Sequence, residues 1–315
     1  MRSTLILYNP SSGRRKHRRD ADIKAIQTVL RDAGLNVTAS PTGNPDRAAE
    51  QARAAAASGR DTVVACGGDG TINDILQGLV GTNTALGVIP LGTANALAHD
   101  LGMPMNPVKA ARALVNATPR RYAVGRVSFQ DRTGKTAARY FTVAAGIGAD
   151  AHLFYTLDHT LKTRWGMAAY YAKATHVWLT HPLETFVVEL RTEMDQEICQ
   201  ATVSEALAVR ISQFGGVLRC FAPGASLSRN DMRLVLFKTR SRLRYLHYIL
   251  RAALGWAGTV PGIELHNASA VSCRVGWNDD PTRQVYVEVD GELVGTLPAQ
   301  LSIIPDALTL LAPTN

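Results

Sequence analysis

Thr62-Val-Val-Ala-Cys-Gly-Gly-Asp-Gly-Thr-Ile-Asn-Asp-Ile-Leu-Gln-Gly-Leu79 is the stretch that decides the fold of this 315-residue chain. It opens with a continuous apolar run, Thr62 to Cys66, which is typical of a buried strand, and it closes in a helical pattern. The turn between them holds three glycines around one aspartate. These glycines tolerate positive φ and let another group approach the backbone closely; they are Gly67, Gly68 and Gly70.

The start of the predicted helix has the chemistry of an anion site. Thr71 is suited to be its N-cap, and Asp74 completes a pattern that resembles a capping box. Free N–H groups and the positive end of the helix dipole then face the turn and favour phosphate. Because the carboxylate of Asp69 would repel phosphate without Mg²⁺ or a proton, the turn suggests phosphoryl transfer. Plain turn chemistry is the alternative explanation. The pattern is neither a Walker loop nor the dinucleotide fingerprint.

Strand, turn and helix repeat four times in the first hundred or so residues. The strands are continuous apolar runs, as in a parallel sheet covered on both faces, so we predict a doubly wound α/β domain. Ligands bind such sheets outside the carboxyl ends of the strands. The turns that meet at that edge span residues 9–13, 41–43, 67–71 and 92–95. Their convergence favours the phosphate-site interpretation.

The second half has the alternation of antiparallel strands, from near Arg120 onward. It predicts a β-sandwich or barrel with helical insertions at about 151–179 and 241–256. We place the nucleotide-binding domain at residues 1–124 and the sandwich domain at residues 125–315, with the option that the last strands return to the first domain. The predicted strands span residues 120–130, 139–148, 184–192, 197–213, 232–238, 263–275, 284–290 and 300–311.

Composition narrows the class of protein. The formal net charge of +8 and a pI near 9.5 favour a polyanionic partner. Aromatic residues make up 6% and do not interleave with the basic runs, which argues against nucleic acid. The four scattered cysteines indicate neither a disulfide framework nor a zinc site. With no signal peptide and no apolar run long enough to span a bilayer, we expect a cytoplasmic protein. Metalloprotease and serine-hydrolase motifs do not occur.

Two stretches of the second half carry candidate functions. In Val285-Tyr-Val-Glu-Val-Asp-Gly-Glu292, either Asp290-Gly291 is simply a hairpin turn, or Asp290 and Glu292 reach the cleft between the domains, where a carboxylate acts as general base. Residues 241–256 form a basic amphipathic helix. It packs on its own core or lies on an anionic membrane. Its apolar stripe comprises Leu243, Leu246, Ile249, Leu250 and Leu254, and its cations are Arg240, Arg242, Arg244 and Arg251.

An ordered set of motifs resembles the diacylglycerol kinase catalytic-domain family, which includes bacterial soluble lipid kinases and the sphingosine and ceramide kinases. The resemblance covers essentially the whole chain. The motifs are Asn9-Pro-x-x-Gly13, Gly67-Gly-Asp-Gly-Thr71, Pro90-Leu-Gly-Thr-Ala-Asn95, Ala145-Gly-Ile-Gly-Ala-Asp150, Asp290-Gly-Glu292 and Pro305-Asp-Ala-Leu308.

The resemblance implies a Rossmann-like domain similar to that of NAD kinases, a β-sandwich that carries the lipid site, and ATP with Mg²⁺ in the cleft. Asp69 would serve the phosphates and the metal, and Glu292, with Asp290 beside it, would be the base. The residues implied around ATP are Asn9, Pro10, Ser11, Ser12, Gly13, Thr42, Gly67, Gly68, Asp69, Gly70, Thr71, Asn73, Asp74 and Thr93.

Bacterial members of that family hold a structural Mg²⁺ in the second domain. The matching stretch here is Ser228-Arg-Asn-Asp-Met-Arg-Leu234, which would use Asp231 together with the backbone oxygens of Ser228 and Arg233. The family's usual Asp-Gly is replaced by Asn230-Asp231-Met232, and Gly215-Gly-Val217 stands where three glycines are common.

The resemblance therefore implies an ATP-dependent lipid kinase with diacylglycerol as the default acceptor. Sphingoid bases, ceramide and phosphatidylglycerol stay open as acceptors. An NAD kinase and a catalytically silent lipid- or nucleotide-binding module are the rival functions. The expected partner is a lipid at the membrane surface, with peripheral contact at the inner face of an anionic membrane and a homodimer as further options, and without nucleic acid.

Overall fold

The computed structural model describes residues 2–10, 18–149, 180, 183–191, 199–213, 221–256, 259–276 and 284–313. Five predicted features lie outside these residues: Ser11 to Gly13, Asp150, the helical insertion at 151–179, Gly215 to Val217, and Cys220. No helix in the described part of the chain is both long and apolar enough to cross a bilayer.

The first domain is a parallel sheet with helices on both faces. Its strands are β1 (Ser3–Tyr8), β2 (Asn36–Pro41), β3 (Thr62–Gly67) and β4 (Ala85–Pro90), in the order β4-β3-β1-β2. Its helices are α1 (Arg19–Asp32), α2 (Pro45–Ala57), α3 (Asp69–Leu76), α4 (Ala96–Asp100) and α5 (Pro107–Val115). β3 and β4 are buried along their whole length, as continuous apolar runs require.

The second domain is antiparallel. Its strands are β5 (Thr118–Gln130), β6 (Thr136–Phe141), β7 (Ala144–Gly148), β8 (Phe186–Arg191), β9 (Cys199–Val203), β10 (Glu205–Val209), β11 (Met232–Phe237), β12 (Ile263–Ala268), β13 (Ala270–Arg274), β14 (Tyr286–Val289) and β15 (Glu292–Ala312). One helix, α6 (Arg242–Ala253), follows β11. A separate hydrophobic core fills this domain, with Phe141, Phe186 and Met232 among its fully buried side chains.

β15 joins the two domains. Its first residues pair with β14, its middle with β13 and β5, and its last residues with β5, and Leu310 pairs in parallel with Leu86 of β4. The end of the chain therefore completes the sheet of the first domain. The predicted boundary after residue 124 falls inside β5, and as a boundary it stays a prediction.

The predicted elements need four corrections. Residues 139–148 and 197–213 each form two strands instead of one. The first stretch is interrupted at Thr142-Val143, where the Val143 N–H donates to Asp290, and the second at Ser204, whose N–H donates to the Phe237 carbonyl. Residues 263–275 likewise divide after Ala268, and the closing strand begins at Glu292 instead of residue 300. α5 was not predicted, although Asn106 caps it and Pro107 begins it.

Helix α6 buries the face opposite to the one that the core-packing interpretation requires. It is buried through Tyr245, Tyr248 and Ala252. Leu243, Leu246, Leu250 and Leu254 are exposed, and Ile249 is half-buried. The interpretation in which the leucine stripe faces the core is therefore wrong, because the tyrosines occupy that face.

Candidate functional site

Two glycine turns lie back to back at the carboxyl edge of the parallel sheet. A Cβ on Gly92 would come within 2.4 Å of the α-carbon of Gly68. The Leu91 N–H donates to the Gly67 carbonyl over 2.8 Å. None of Gly67, Gly68 and Gly70 has a positive φ. Of the two properties that glycine offers here, the turn uses the close approach of other groups and not the positive φ.

Helix α3 starts three residues earlier than the capping pattern predicts. Gly68 is its N-cap, in extended geometry, and Asp69 is its first residue. Thr71 lies inside the first turn, where a Cβ on Gly67 would meet the Thr71 side chain at 2.5 Å. The capping box is wrong, because the side chain of Asp74 goes to an arginine of the second domain instead of back to the helix start.

Asp69 links the two turns. The backbone N–H groups of Ala96, Leu97 and Asn95, at the start of α4, face its carboxylate. Burial raises its pKa, and these N–H groups work against that rise. Its Oδ1 is buried and has no hydrogen-bond partner among the described residues. Mg²⁺ commonly binds through one or two carboxylates plus substrate phosphates, so this free oxygen fits a nucleotide-bound Mg²⁺.

Arg139 of β6 connects α3 with the last strand. Its Nη2 donates to Asp74 Oδ1 over 2.6 Å and to Glu292 Oε2 over 3.2 Å, and its Nε donates to Asn73 Oδ1 over 2.7 Å. Burial and the nearby Glu292 raise the pKa of Asp74 to about 6, although Arg139 opposes the rise. One guanidinium thus holds two carboxylates together across the domain junction.

Asp290 and Glu292 follow one turn but have different surroundings. Asp290 Oδ1 accepts the N–H groups of Val143 and Ala144 over 3.0 Å each. Asp290 Oδ2 accepts from Asn73 Nδ2 over 2.8 Å and from the Thr142 N–H over 3.3 Å. Burial raises the pKa of Asp290 to about 6 against these four donors. Both of its oxygens are engaged in holding the β6–β7 junction against α3.

Glu292 faces the glycine turn. Its side chain is 40% exposed, and a Cβ on Gly70 would come within 2.5 Å of its Oε1. The left-handed conformations of Asp290 (φ 48°) and Gly291 (φ 86°) turn the chain so that Glu292 points toward α3. Of the two predicted bases, Glu292 is the one with an oxygen beside the turn that would hold phosphate.

The remaining predicted ATP residues lie along the same edge. Asn9 and Pro10 follow β1, and the buried hydroxyl of Thr42 donates to the Tyr8 carbonyl over 3.3 Å. Exposed Thr93 lines a cavity of about 630 Å³ together with Asn95 and His99. All these assignments stay predictions, and Ser11, Ser12 and Gly13 lie outside the described residues.

Three contributors were missed from the sequence. Arg139 is one; the second is Gln77, which exchanges hydrogen bonds with the backbone N–H and carbonyl of Tyr140 over 2.9 Å each. The third is Asp100, whose Oδ1 accepts from Ser212 N, Ser212 Oγ and Gln213 N over 2.8, 2.6 and 3.0 Å. All three tie the domains together. No sequence signal marks them, because each depends on a partner far along the chain.

The residues of the predicted second metal site do not fit a divalent ion. The fully buried Arg210 donates through both terminal nitrogens to four backbone carbonyls, those of Ala123, Leu227, Arg229 and Asp231. The Asp231 carboxylate is paired with the Arg229 side chain. Ser228 is exposed, and Arg233 bonds Asn267. Two guanidinium groups would repel a divalent cation here. The described residues also form no cluster of three or more His, Cys, Asp or Glu suited to a metal.

Comparison with known proteins places these features in a family. The model of the diacylglycerol kinase catalytic domain matches residues 3–127, and that of the YegS C-terminal NAD kinase beta sandwich-like domain matches residues 141–312. The diacylglycerol kinase of Mycobacterium tuberculosis (strain H37Rv) is 30% identical over 98% of this chain and 94% of the relative. That of Bacillus subtilis is 29% identical over 95% and 93%.

Solved structures show the same fold. A crystal structure of a diacylglycerol kinase from Bacillus anthracis superposes with a TM-score of 0.68 at 18% identity and covers 98% of this chain and 96% of that one. The crystal structure of yeast NADH kinase complexed with NADH gives 0.52 at 12% identity, covering 100% and 84%. The predicted fold class and the resemblance read from the motifs are confirmed.

Proposed function

This chain belongs to the diacylglycerol kinase family of enzymes, and from that premise we propose that it transfers the γ-phosphate of ATP to the hydroxyl group of diacylglycerol. The observation that carries the proposal is the contact between Glu292 Oε1 and Gly70. It places a carboxylate of the second domain beside the glycine turn of the first. A base and a phosphate-binding turn side by side are what in-line phosphoryl transfer requires.

In the proposed reaction the turn Gly67 to Gly70 binds the phosphates of ATP through backbone N–H groups. Such donors stabilise the negative charge that develops during transfer. Glu292 accepts the proton of the lipid hydroxyl while that oxygen forms its bond to the γ-phosphorus. The bond from the γ-phosphorus to the β-phosphate oxygen breaks, which gives ADP and phosphatidic acid.

Arg139 positions the base. Because its guanidinium is shared between Asp74 and Glu292, it fixes the Glu292 side chain over Gly70. The four hydrogen bonds that Asp290 accepts hold the β6–β7 junction against α3 and so stabilise the same arrangement. When bound with ATP, Mg²⁺ supplies charge neutralisation on the phosphates, and Asp69 Oδ1 would hold it.

The test is transfer of labelled γ-phosphate from ATP to lipids in mixed micelles, with Mg²⁺ or with EDTA. The panel contains diacylglycerol, a sphingoid base, ceramide and phosphatidylglycerol, with NAD in parallel. We expect Mg²⁺-dependent label in phosphatidic acid. Label in another lipid would change the acceptor and keep the class. Label in NADP, or ATP binding without transfer to any acceptor, would overturn the proposal.

A further inference from the structure

Helix α6 is fixed to its domain by two tyrosines. The Tyr245 hydroxyl lies 2.7 Å from Ser204 Oγ, and its ring stacks on Phe237 with centroids 4.2 Å apart. Tyr248 donates to the Phe221 carbonyl and meets Phe237 edge-on at 5.5 Å. These contacts leave the helix no freedom to rotate its other face toward the core.

That other face is apolar and points outward. Leu243, Leu246, Leu250 and Leu254 are 78%, 43%, 53% and 61% exposed, and Trp256 just beyond the helix is 62% exposed. Helical spacing puts the four leucines on one stripe about 16 Å long, opposite the two tyrosines. Exposed His247 also falls within this stripe. An exposed face that carries four leucines marks an interaction surface.

The charge around the stripe identifies the partner. From Met232 to Ile263 the sequence contains no Asp or Glu. Helical geometry puts Arg244 and Arg251 on one flank of the stripe and Arg242 on the other. The six cations of this segment are Arg233, Lys238, Arg240, Arg242, Arg244 and Arg251. A second copy packed on the stripe would bring arginines against arginines, whereas anionic lipid headgroups would neutralise them.

We propose that this outward stripe of α6 is the surface by which the protein docks on an anionic membrane. The leucines and Trp256 enter the boundary between headgroups and acyl chains, and the flanking arginines contact the headgroups. The inference extends the proposed function, since a lipid acceptor must be reached at the membrane. It is tested without ATP, so that failure of docking and failure of catalysis are separate results.

Vesicle cosedimentation measures the docking directly. We expect the protein to bind vesicles of phosphatidylcholine mixed with phosphatidylglycerol at least about ten times more tightly than pure phosphatidylcholine, and more weakly as salt rises. The double variant Leu243→Ser/Leu250→Ser should lower binding at least about tenfold. The double variant Arg244→Gln/Arg251→Gln should also weaken it, whereas Lys109→Gln/Arg112→Gln, which removes the same charge from α5, should not.

The fluorescence of Trp256 reports binding at the stripe itself. Anionic vesicles should shift the tryptophan emission of the wild-type protein to the blue, and Trp256→Phe should lose that part of the shift. Thermal midpoints within about 2 °C of wild type would show that the variants are folded. Wild-type-like binding by the leucine variant would overturn the proposal. So would sedimentation showing a dimer that the leucine variant loses, because the stripe would then be a subunit interface.

Discussion

The carboxylate of Glu292 lies directly against the backbone of Gly70, close enough that a methyl group on Gly70 would come within 2.5 Å of Oε1. The two residues belong to different domains and are far apart along the chain. Their contact gives the cleft a base, and Arg139 keeps it there.

Replacing the base should remove turnover and spare the fold. In Glu292→Gln we expect kcat to fall at least about a hundredfold, because proton transfer by a positioned carboxylate contributes that much or more. The side chain is 40% exposed, so the thermal midpoint should stay within a few degrees. Steady-state kinetics and thermal unfolding check this, with Glu264→Gln as a surface control. A variant that keeps most of its kcat would show that Glu292 is not the base.

Asp290 should behave in the opposite way. Asp290→Asn puts an amide N–H₂ group where a carboxylate oxygen accepts two donors, and we expect a loss of about 2–4 kcal/mol in the free energy of unfolding. Denaturant unfolding measures it. A stability equal to wild type, with turnover abolished, would instead give Asp290 a direct part in the chemistry.

The pH dependence should report Asp74. Its pKa is raised to about 6, so the charged form that holds Arg139 is lost as pH falls through that value. We expect kcat/KM to fall below about pH 6. Asp290 titrates in the same range. In Asp74→Asn the plateau of kcat/KM should be lower than in the wild-type protein. The fall of kcat/KM at acid pH should depend on one proton fewer. An unchanged slope would show that Asp74 does not contribute to the fall of kcat/KM at acid pH.

Two glycine substitutions should separate catalysis from stability. In Gly70→Ala the new methyl meets only the end of the Glu292 side chain, so turnover should fall while the thermal midpoint changes little. In Gly92→Ala the methyl meets the α-carbon of Gly68, which cannot move without shifting the turn. That variant should lose about 1–3 kcal/mol of stability as well as activity. Equal stability losses in both variants would contradict this reading of the contacts.

The stability of the second domain should not depend on a divalent metal, because the Arg210 side chain holds its backbone carbonyls together. EDTA should leave the thermal midpoint of the wild-type protein unchanged. Arg210→Met leaves four backbone carbonyls without their donor, three of them in buried hydrogen bonds, and should cost about 3–5 kcal/mol. Arg274→Met, which removes a half-exposed pair with Glu189, should cost about 1 kcal/mol or less. A midpoint lowered by EDTA would show that a metal is bound after all.

The local parts of this structure could be predicted, and the contacts between distant parts could not. The βα repeats and the glycine turn depend on residues close together in the sequence, and there the strand, turn and helix patterns are clear. Arg139 is an ordinary strand residue until α3 and β15 are placed beside it. α6 shows a third case: both of its faces are apolar, one through tyrosines and one through leucines, so periodicity alone could not choose the buried one.

The path of β15 has a consequence for how the protein is made. Leu310 pairs with Leu86, so the first domain leaves the ribosome with an open sheet edge that β15 closes only after the second domain has been synthesised. Glu292 begins that same strand. The closing of the sheet and the arrival of the proposed base are therefore parts of one late step in synthesis. A nascent or truncated chain that ends before β15 has the phosphate turn and lacks Glu292.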